Sequence, residues 1–281
     1  MVMREFKVLF DDEAALTEGT GVSETIHYGR LSFPKAPPGR PWIYANFVQT
    51  LDGIVSLLGD EPSGGDLNGI AEDRWLMDLL RAHADAVLLG MGTLREEQRL
   101  KRPRDRGPVF RILDEELRQV RARLGFGRER NIFVSAQAEF QMRDFAVFDG
   151  ELVDVSVVTT REGAGRLQAQ GMPHVDVITV DAAGSQVDLR QAVKALTERY
   201  GLKYLLCEGG PTLYSGMLTA GLMDEYFLTV APLQVGRVSS SGARPNMLPD
   251  VGWSAAEAAR WRWMSCRRVA DYQFHRFRRR G

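Results

Sequence analysis

The chain has 281 residues, 44% hydrophobic and 26% charged, and its 36 Lys and Arg against 37 Asp and Glu leave a net charge of −1. That length and composition describe a globular protein of one large α/β unit or two smaller ones, and the balanced charge argues against nucleic acid or a membrane surface as partner. No apolar run approaches the ~20 residues of a membrane helix, Met1-Val2-Met3-Arg4-Glu5-Phe6 lacks a signal-peptide core, and the four histidines and two cysteines show no metal-ligand spacing, which argues against a zinc site. Cys207 and Cys266 lie far apart in apolar stretches and read as reduced core thiols of a cytoplasmic protein.

Residues 1–40 read as an N-terminal arm and linker. Asp11 to Gly21 is acidic and glycine-bearing, and the PKAPPGRP run over Pro34–Pro41 excludes helix and inner strand. The main domain is expected over residues 41–281. Trp42–Leu51 reads as a strand ended by Asp52-Gly53, with Ile54–Leu58 extended and Gly59–Gly69 a polar loop. Helical periodicity covers Ala71–Ala82, with Trp75, Leu76, Leu79 and Leu80 on one side and Glu72, Asp73, Arg74 and Asp78 on the other. A short buried strand, Asp85–Leu89, runs into Gly90-Met91-Gly92-Thr93 and a charged stretch to Arg106. A helix over Asp114–Leu124 and strands over Asn131–Ser135, Leu152–Thr160 and Val175–Val180 follow. Leu189–Tyr200 is a helix, Lys203–Cys207 a strand, Thr212–Gly221 a helix, Asp224–Val230 a strand, and Arg260–Phe277 one or two antiparallel strands. Strands alternating with helices predict an α/β fold with a mixed, mostly parallel sheet flanked by helices.

In such a sheet, ligands bind beyond the carboxyl ends of strands. Three of these ends carry unusual residues: Asn46 with Thr50-Leu51-Asp52-Gly53, then Leu89-Gly90-Met91-Gly92-Thr93, then Cys207-Glu208-Gly209-Gly210-Pro211-Thr212. Gly209 and Gly210 would let a diphosphate approach the backbone, and a helix starting near Thr212 would aim its free N–H groups at that anion. Gly90, Gly92 and Thr93 repeat the pattern. Neither segment forms GxGxxG or GxxxxGK[ST], and each by itself is more often only a turn.

Together, TLDG (Thr50–Gly53), LLRAHADAVLLGMGTLR (Leu79–Arg95) and CEGGPTLYSGMLTAGLMDEYFLTVAPLQVG (Cys207–Gly236) resemble the reductase domain of bacterial riboflavin biosynthesis, a family with the dihydrofolate reductase-like fold. The resemblance spans about residues 41–277. It implies reduction, by NADPH, of 5-amino-6-(5-phosphoribosylamino)uracil or a close analogue to the ribitylamino form, NADH being the alternative donor. It also implies a homodimer, with no nucleic acid or membrane partner. The zinc deaminase that often precedes this domain has no counterpart in residues 1–40.

Carried over by position, the resemblance puts cofactor contacts at Val48, Leu67, Gly90, Gly92, Thr93, Glu97, Ser135, Gly209 and the run Gly210, Pro211, Thr212, Leu213, Tyr214, Ser215 and Gly216. Substrate contacts fall at Arg81, Glu208, Ser63 and Gly65, with Arg99, Lys101 and Arg102 as phosphate-binding cations. Glu208 and Asp52 are the candidate catalytic carboxylates. The chain departs from the family pattern in three places: Ile54 follows Gly53 where the family has Lys or Arg, Glu96-Glu97-Gln98 replaces an ADxP run, and Ala136-Gln137 stands where many relatives have an arginine. Plainer readings remain open beside these. Arg81 would pair with Asp78 or Asp85, Asp52 would anchor its turn, Glu97 would be helix surface, and Leu213 and Tyr214 would be core. The departures also leave open a pterin or other heterocycle as substrate, and a nucleotide-binding protein without catalysis.

Overall fold

A computed structural model describes residues 3–12, 19–25, 27–56, 70–99, 106–236, 246–249 and 251–280. In chain order the elements are β1 (Lys7–Asp11), β2 (Gly19–Thr25), β3 (Gly29–Pro34), β4 (Trp42–Gln49), α1 (Ala71–Ala82), β5 (Ala86–Gly90), α2 (Met91–Arg99), α3 (Glu115–Arg123), β6 (Arg130–Val134) and β7 (Asp154–Thr159). There follow α4 (Arg161–Gln168), β8 (Asp176–Thr179), the small hairpin β9 (Ala182–Ala183) and β10 (Gln186–Val187), α5 (Leu189–Tyr200), β11 (Tyr204–Cys207), α6 (Pro211–Thr219), β12 (Glu225–Val230), β13 (Trp261–Val269) and β14 (Tyr272–Arg279).

Ten strands form one sheet in the order β1-β13-β14-β12-β4-β11-β5-β6-β7-β8. From β12 to β8 the pairings are parallel, whereas β14, β13 and β1 add an antiparallel edge. This is the mostly parallel sheet with an antiparallel finish that the alternation of elements predicts. Parallel strands need both faces covered. One face packs on a core holding Trp75, Leu76, Leu79 and Leu80 of α1 with Leu117 and Val120 of α3. The other packs on Val193 and Leu196 of α5 with Tyr214 and Met217 of α6.

The N-terminal segment, expected as an arm, contributes to the first of these cores. Phe6, Tyr28, Leu31 and Phe33 are buried in it, β1 pairs with β13, and the Phe6 N–H donates to the His27 carbonyl at 2.8 Å. The proline run does keep helix and inner strand out of residues 35–41, yet the chain before it doubles back onto the sheet because four large apolar side chains need cover. Two further elements escape the periodicity. In α4 two glycines lower helix propensity; Thr160 compensates as N-cap by accepting the Gly163 N–H, and a Cβ on Gly163 would lie 2.0 Å from Thr159 Oγ1. In α2 the strand β5 passes straight into the helix, so the charged stretch starts helical.

The polar side expected for α1 is not a solvated face. Glu72, Asp73 and Asp78 are as buried as the leucines; of the four polar residues named there, Arg74 alone is exposed. Glu72 accepts from the Arg4 backbone and guanidinium, and Asp78 accepts from the Leu113 and Asp114 N–H groups at 2.8 and 3.3 Å. The helix is roofed by the N-terminal segment and by the approach to α3, which a helical wheel cannot show.

Candidate active site

The sheet places the three unusual strand ends side by side, because β11 lies between β4 and β5. Cys207 is in register with Ala45 on one side and Leu88 on the other. Strand alternation then decides which residues share a face. Tyr44, Asn46 and Val48 of β4, Leu206 and Glu208 at the end of β11, and Phe227 and Thr229 of β12 all turn toward α1, while Ala45, Phe47 and Cys207 turn toward α5 and α6.

On the α1 side Arg81 meets Glu208. Its Nε donates to Oε1 at 2.8 Å and its Nη2 to Oε2 at 2.7 Å, a bidentate pair with side chains 10% and 5% exposed. Nη1 donates to Asp78 Oδ1 at 3.2 Å and to the Arg111 carbonyl at 3.1 Å. Burial alone would lower the Arg81 pKa, but Glu208 and Asp78 override it and raise it. Burial raises the Asp78 pKa despite Arg81. The pairing with Asp78 is present, and the guanidinium is held rigid, with one Nη2 hydrogen left over from these four bonds. Asp85 is engaged elsewhere, accepting from the N–H groups of Lys203 and Tyr204.

On the other side the turns after β5 and β11 cross at van der Waals distance. A Cβ on Gly209 would lie 2.6 Å from the Gly90 nitrogen, 3.1 Å from the Leu89 carbonyl carbon and 2.5 Å from Leu213 Cδ2. The Gly209 side-chain position is therefore filled by protein, not open to a phosphate as the sequence suggests. Gly210 donates its N–H to Thr93 Oγ1 at 2.7 Å, so the Thr93 hydroxyl ties the α2 turn to the α6 turn. This crossing brings two helix N-termini together. Pro211 occupies the first turn of α6, whose start has no side-chain cap, so the N–H groups of Thr212 and Leu213 point their partial positive charge outward. Gly92 has nothing within 4 Å of a would-be Cβ, and Thr212 is exposed.

Leu213, Tyr214 and Ser215 are buried. Tyr214 packs edge-on against Phe47 at 4.9 Å, and Gly216 makes room for Leu189. From this run a ligand is offered the backbone and Thr212, as the core reading of Leu213 and Tyr214 anticipates. Cys207 is walled in, its thiol pushed up to about 12 by burial, and is inert.

Asp52 is an anchor. Thr50 Oγ1 donates to its Oδ1 at 2.6 Å, and the Gly236 and Val235 N–H groups donate to it at 2.7 and 3.4 Å. The Thr50 bond chiefly holds its pKa below the usual range, with Gly236 and Val235 adding to the effect. Gly53, at φ +81°, completes the turn, which fastens the end of β4 to the segment after β12. The Ser135 hydroxyl, at the end of β6, accepts the Ala138 N–H at 3.2 Å. Ser63, Gly65, Leu67, Lys101 and Arg102 lie outside the described residues, as do the side chains of Glu97 and Arg99.

Three polar residues lie where α1 meets the sheet, Asp73 on the helix and Asn46 and Thr229 on the strands. Asp73, Thr229 and Asn46 bury Oδ1, Oγ1 and Oδ1 without a hydrogen-bond partner among the described residues. Asp73 is spaced i, i+3, i+7 with Leu76 and Leu80, on the apolar stripe itself, and that spacing was the available signal.

The profile of the RibD C-terminal domain family matches residues 41–271. A 2,5-diamino-6-ribosylamino-4(3H)-pyrimidinone 5′-phosphate reductase of Archaeoglobus fulgidus is 26% identical over 202 residues, which are 70% of this chain and 83% of the relative. Among solved structures, a pyrimidine reductase-like protein of Corynebacterium diphtheriae superposes with a TM-score of 0.64 at 24% identity, covering 86% of this chain and 92% of that one. RibD of Acinetobacter baumannii gives 0.63 at 17% identity; 87% of this chain is covered, and it spans 59% of the RibD chain. These likenesses show a shared fold.

Proposed function

The chain belongs to the RibD C-terminal domain family, and from that premise we propose that it is an NADPH-dependent reductase of a ribosylamino-pyrimidine 5′-phosphate, giving the ribitylamino product. The observation that carries this reading is the adjacency of two different candidate sites at the carboxyl ends of the neighbouring inner strands β11 and β5. The rigid Arg81–Glu208 pair lies on one face at the end of β11, and the paired starts of α2 and α6 lie at the same strand ends.

The second site suits a dinucleotide diphosphate. Its uncapped N–H groups favour an anion, and the space around Gly92 admits one. Reduced nicotinamide supplies the hydride when bound. The chain's own part is positioning and recognition. Glu208, held in place by the bidentate Arg81, accepts hydrogen bonds from ribose hydroxyls through its remaining lone pairs, and the spare Nη2 hydrogen of Arg81 reaches the same ligand. Asp52 acts as a positioning residue that fixes the end of β4 against the segment after β12. The phosphate falls to Arg99, Lys101 and Arg102.

The relative from Archaeoglobus supports the pyrimidine phosphate as substrate class. Two buried free thiols and the absence of any sufficiently long apolar helix among the described residues accord with a cytoplasmic enzyme. A homodimer is supported by exposed Val8, Leu9 and Trp263 at the antiparallel edge. The test is loss of reduced-nicotinamide absorbance with the ribosylamino-pyrimidine phosphate and purified protein, run with NADPH and with NADH. Turnover of dihydrofolate in its place, or none with either cofactor, would overturn the reading.

A further inference from the structure

Behind the Arg81–Glu208 pair stand two buried residues to which the proposed reaction gives no part. Asp78, one turn before Arg81 on α1, is 7% exposed, and Arg121 of α3 is 6% exposed. Asp78 bridges two elements. Its Oδ1 accepts from Arg81 Nη1 at 3.2 Å, while its Oδ2 accepts the N–H groups of Leu113 and Asp114 where α3 begins. Both oxygens thus face donors, which a carboxylate satisfies; an amide would turn its NH2 group onto one of them. Arg121 grips the backbone of the same helix. Its Nη1 donates to the carbonyls of Arg81 and Ala84 at 3.0 and 2.5 Å, its Nε to that of Gly127 at 2.9 Å and its Nη2 to that of Arg128 at 3.4 Å. All four bonds end on carbonyls and none on a carboxylate, although burial opposes the charge and lowers the Arg121 pKa, with Glu129 and Asp85 resisting. The carbonyls so held close the end of α1, and the side chain that leaves this turn is Arg81.

We propose that Asp78 and Arg121 are positioning residues for substrate binding: acting from α3, they fix the guanidinium and the backbone of Arg81, so that Arg81 and Glu208 meet the ribose already aligned. The inference rests on the proposed reductase reading and adds the residues that act behind its substrate pair. A bidentate pair requires its two planar groups in register. Glu208 is fixed by the strand it ends, its N–H donating to the Leu88 carbonyl at 3.0 Å. Arg81 reaches it on a long side chain from a helix in another layer, and four rotatable bonds leave that side chain free unless both its ends are held. Asp78 holds the guanidinium and Arg121 holds the main chain. A misplacement of about 1 Å at such a site costs as much as about 10²-fold. The turns of α2 and α6, which suit the dinucleotide diphosphate, are tied to each other by Thr93 and Gly210 and take no part in these bonds. Loosening α3 should therefore weaken the substrate and spare the cofactor, whereas a role confined to stability distinguishes neither.

The experiment measures KM for the ribosylamino-pyrimidine phosphate and for NADPH in the wild type, Arg121→Lys, Asp78→Asn and Tyr200→Phe. Lysine keeps the charge of Arg121 but lacks the fork that spans α1 and the Gly127 turn at once. Tyr200→Phe is the control for lost stability, since it removes hydrogen bonds with Ser156 of β7 and Asp176 of β8 at the parallel edge of the sheet. In Arg121→Lys and Asp78→Asn, KM for the pyrimidine phosphate should rise about tenfold or more, with KM for NADPH within about twofold of wild type; Tyr200→Phe should lower Tm and move neither constant. Equal rises for both ligands, or a lower Tm with both constants unmoved, would overturn the inference and leave the reductase reading standing. The second arm needs no turnover: hydrogen exchange at the Arg81 Nε–H, followed by NMR on labelled protein without ligand. Exchange should be slow in the wild type and quicken about tenfold or more in each variant; fast exchange in the wild type, or an unchanged rate in the variants, refutes the positioning role. Absence of turnover in the wild type is the failure of the reductase reading alone, and this arm then decides the inference. The two substitutions act from different residues, so if one variant fails to fold the other carries the comparison.

Discussion

Gly209→Ala tests the crossing of turns that builds the site. The new Cβ would sit 2.5 Å from Leu213 Cδ2, which can rotate away, but also 2.6 Å from the Gly90 nitrogen and 3.1 Å from the Leu89 carbonyl carbon, which cannot. Relief requires the β11 and β5 ends to part. The Glu208 and Gly209 N–H groups both donate to the Leu88 carbonyl, at 3.0 and 3.1 Å, and parting strains both bonds. Overpacking costs about 1–3 kcal/mol and one weakened hydrogen bond about 1 more, so a loss of about 2–4 kcal/mol is expected. For a chain of this size that is a fall in Tm of roughly 4–8 °C, measured by calorimetry. Gly92→Ala is the matched comparison. It lies in helix α2 with nothing within 4 Å, so it should gain about 0.5–1 kcal/mol while raising KM for NADPH. A Gly209→Ala protein melting within about 1 °C of wild type would refute the reasoning.

Arg81→Met removes one half of a buried pair and leaves Glu208 uncompensated, which should cost about 3–5 kcal/mol; adding Glu208→Gln should restore part of it in denaturant titrations, and additive losses would show that the two are not coupled. Glu72 is held at about 2, below its usual 4.5, chiefly by the hydrogen bond from Arg4. Its contribution is full above pH ~4.5 and is lost as pH falls toward 2; the lowering corresponds to at most about 3 kcal/mol, and the half-exposed Arg4 brings it to about 1–2 kcal/mol. Arg4→Ala should therefore flatten the acid limb of a stability–pH curve. Asp73 has the opposite sign. Burial raises it to about 6, with Thr229 on β12 and Arg74 on its own helix opposing and Tyr272 of β14 nearby. The protonated form is the one the fold tolerates, so wild-type stability should fall between pH ~4 and ~6, by up to about 3 kcal/mol. Asp73→Asn should escape that fall and be the more stable protein at pH ~8; a difference independent of pH would contradict the burial argument.

The linear sequence determined the order and most of the bounds of the main parallel strands and of α1, α3, α5 and α6, because hydrophobic period is a local property. Ala71–Ala82 and Leu189–Tyr200 are helices over the very residues whose spacing marks them. It also singled out three strand ends as candidates for chemistry, since Thr50–Gly53, Gly90–Thr93 and Glu208–Thr212 stand out by composition alone. Tertiary structure decided what those residues do. Gly209 looks in sequence like an opening for a phosphate, but the backbone of Gly90 fills it, because β11 and β5 are neighbours only in space. Arg81 and Glu208 are 127 residues apart, and their pairing depends on α1 crossing the end of β11. The polar residues of α1 read as a wet face until the N-terminal segment and the approach to α3 close over them. Burial of a polar atom is set by what packs above it from elsewhere in the chain, and periodicity within one helix carries no record of that.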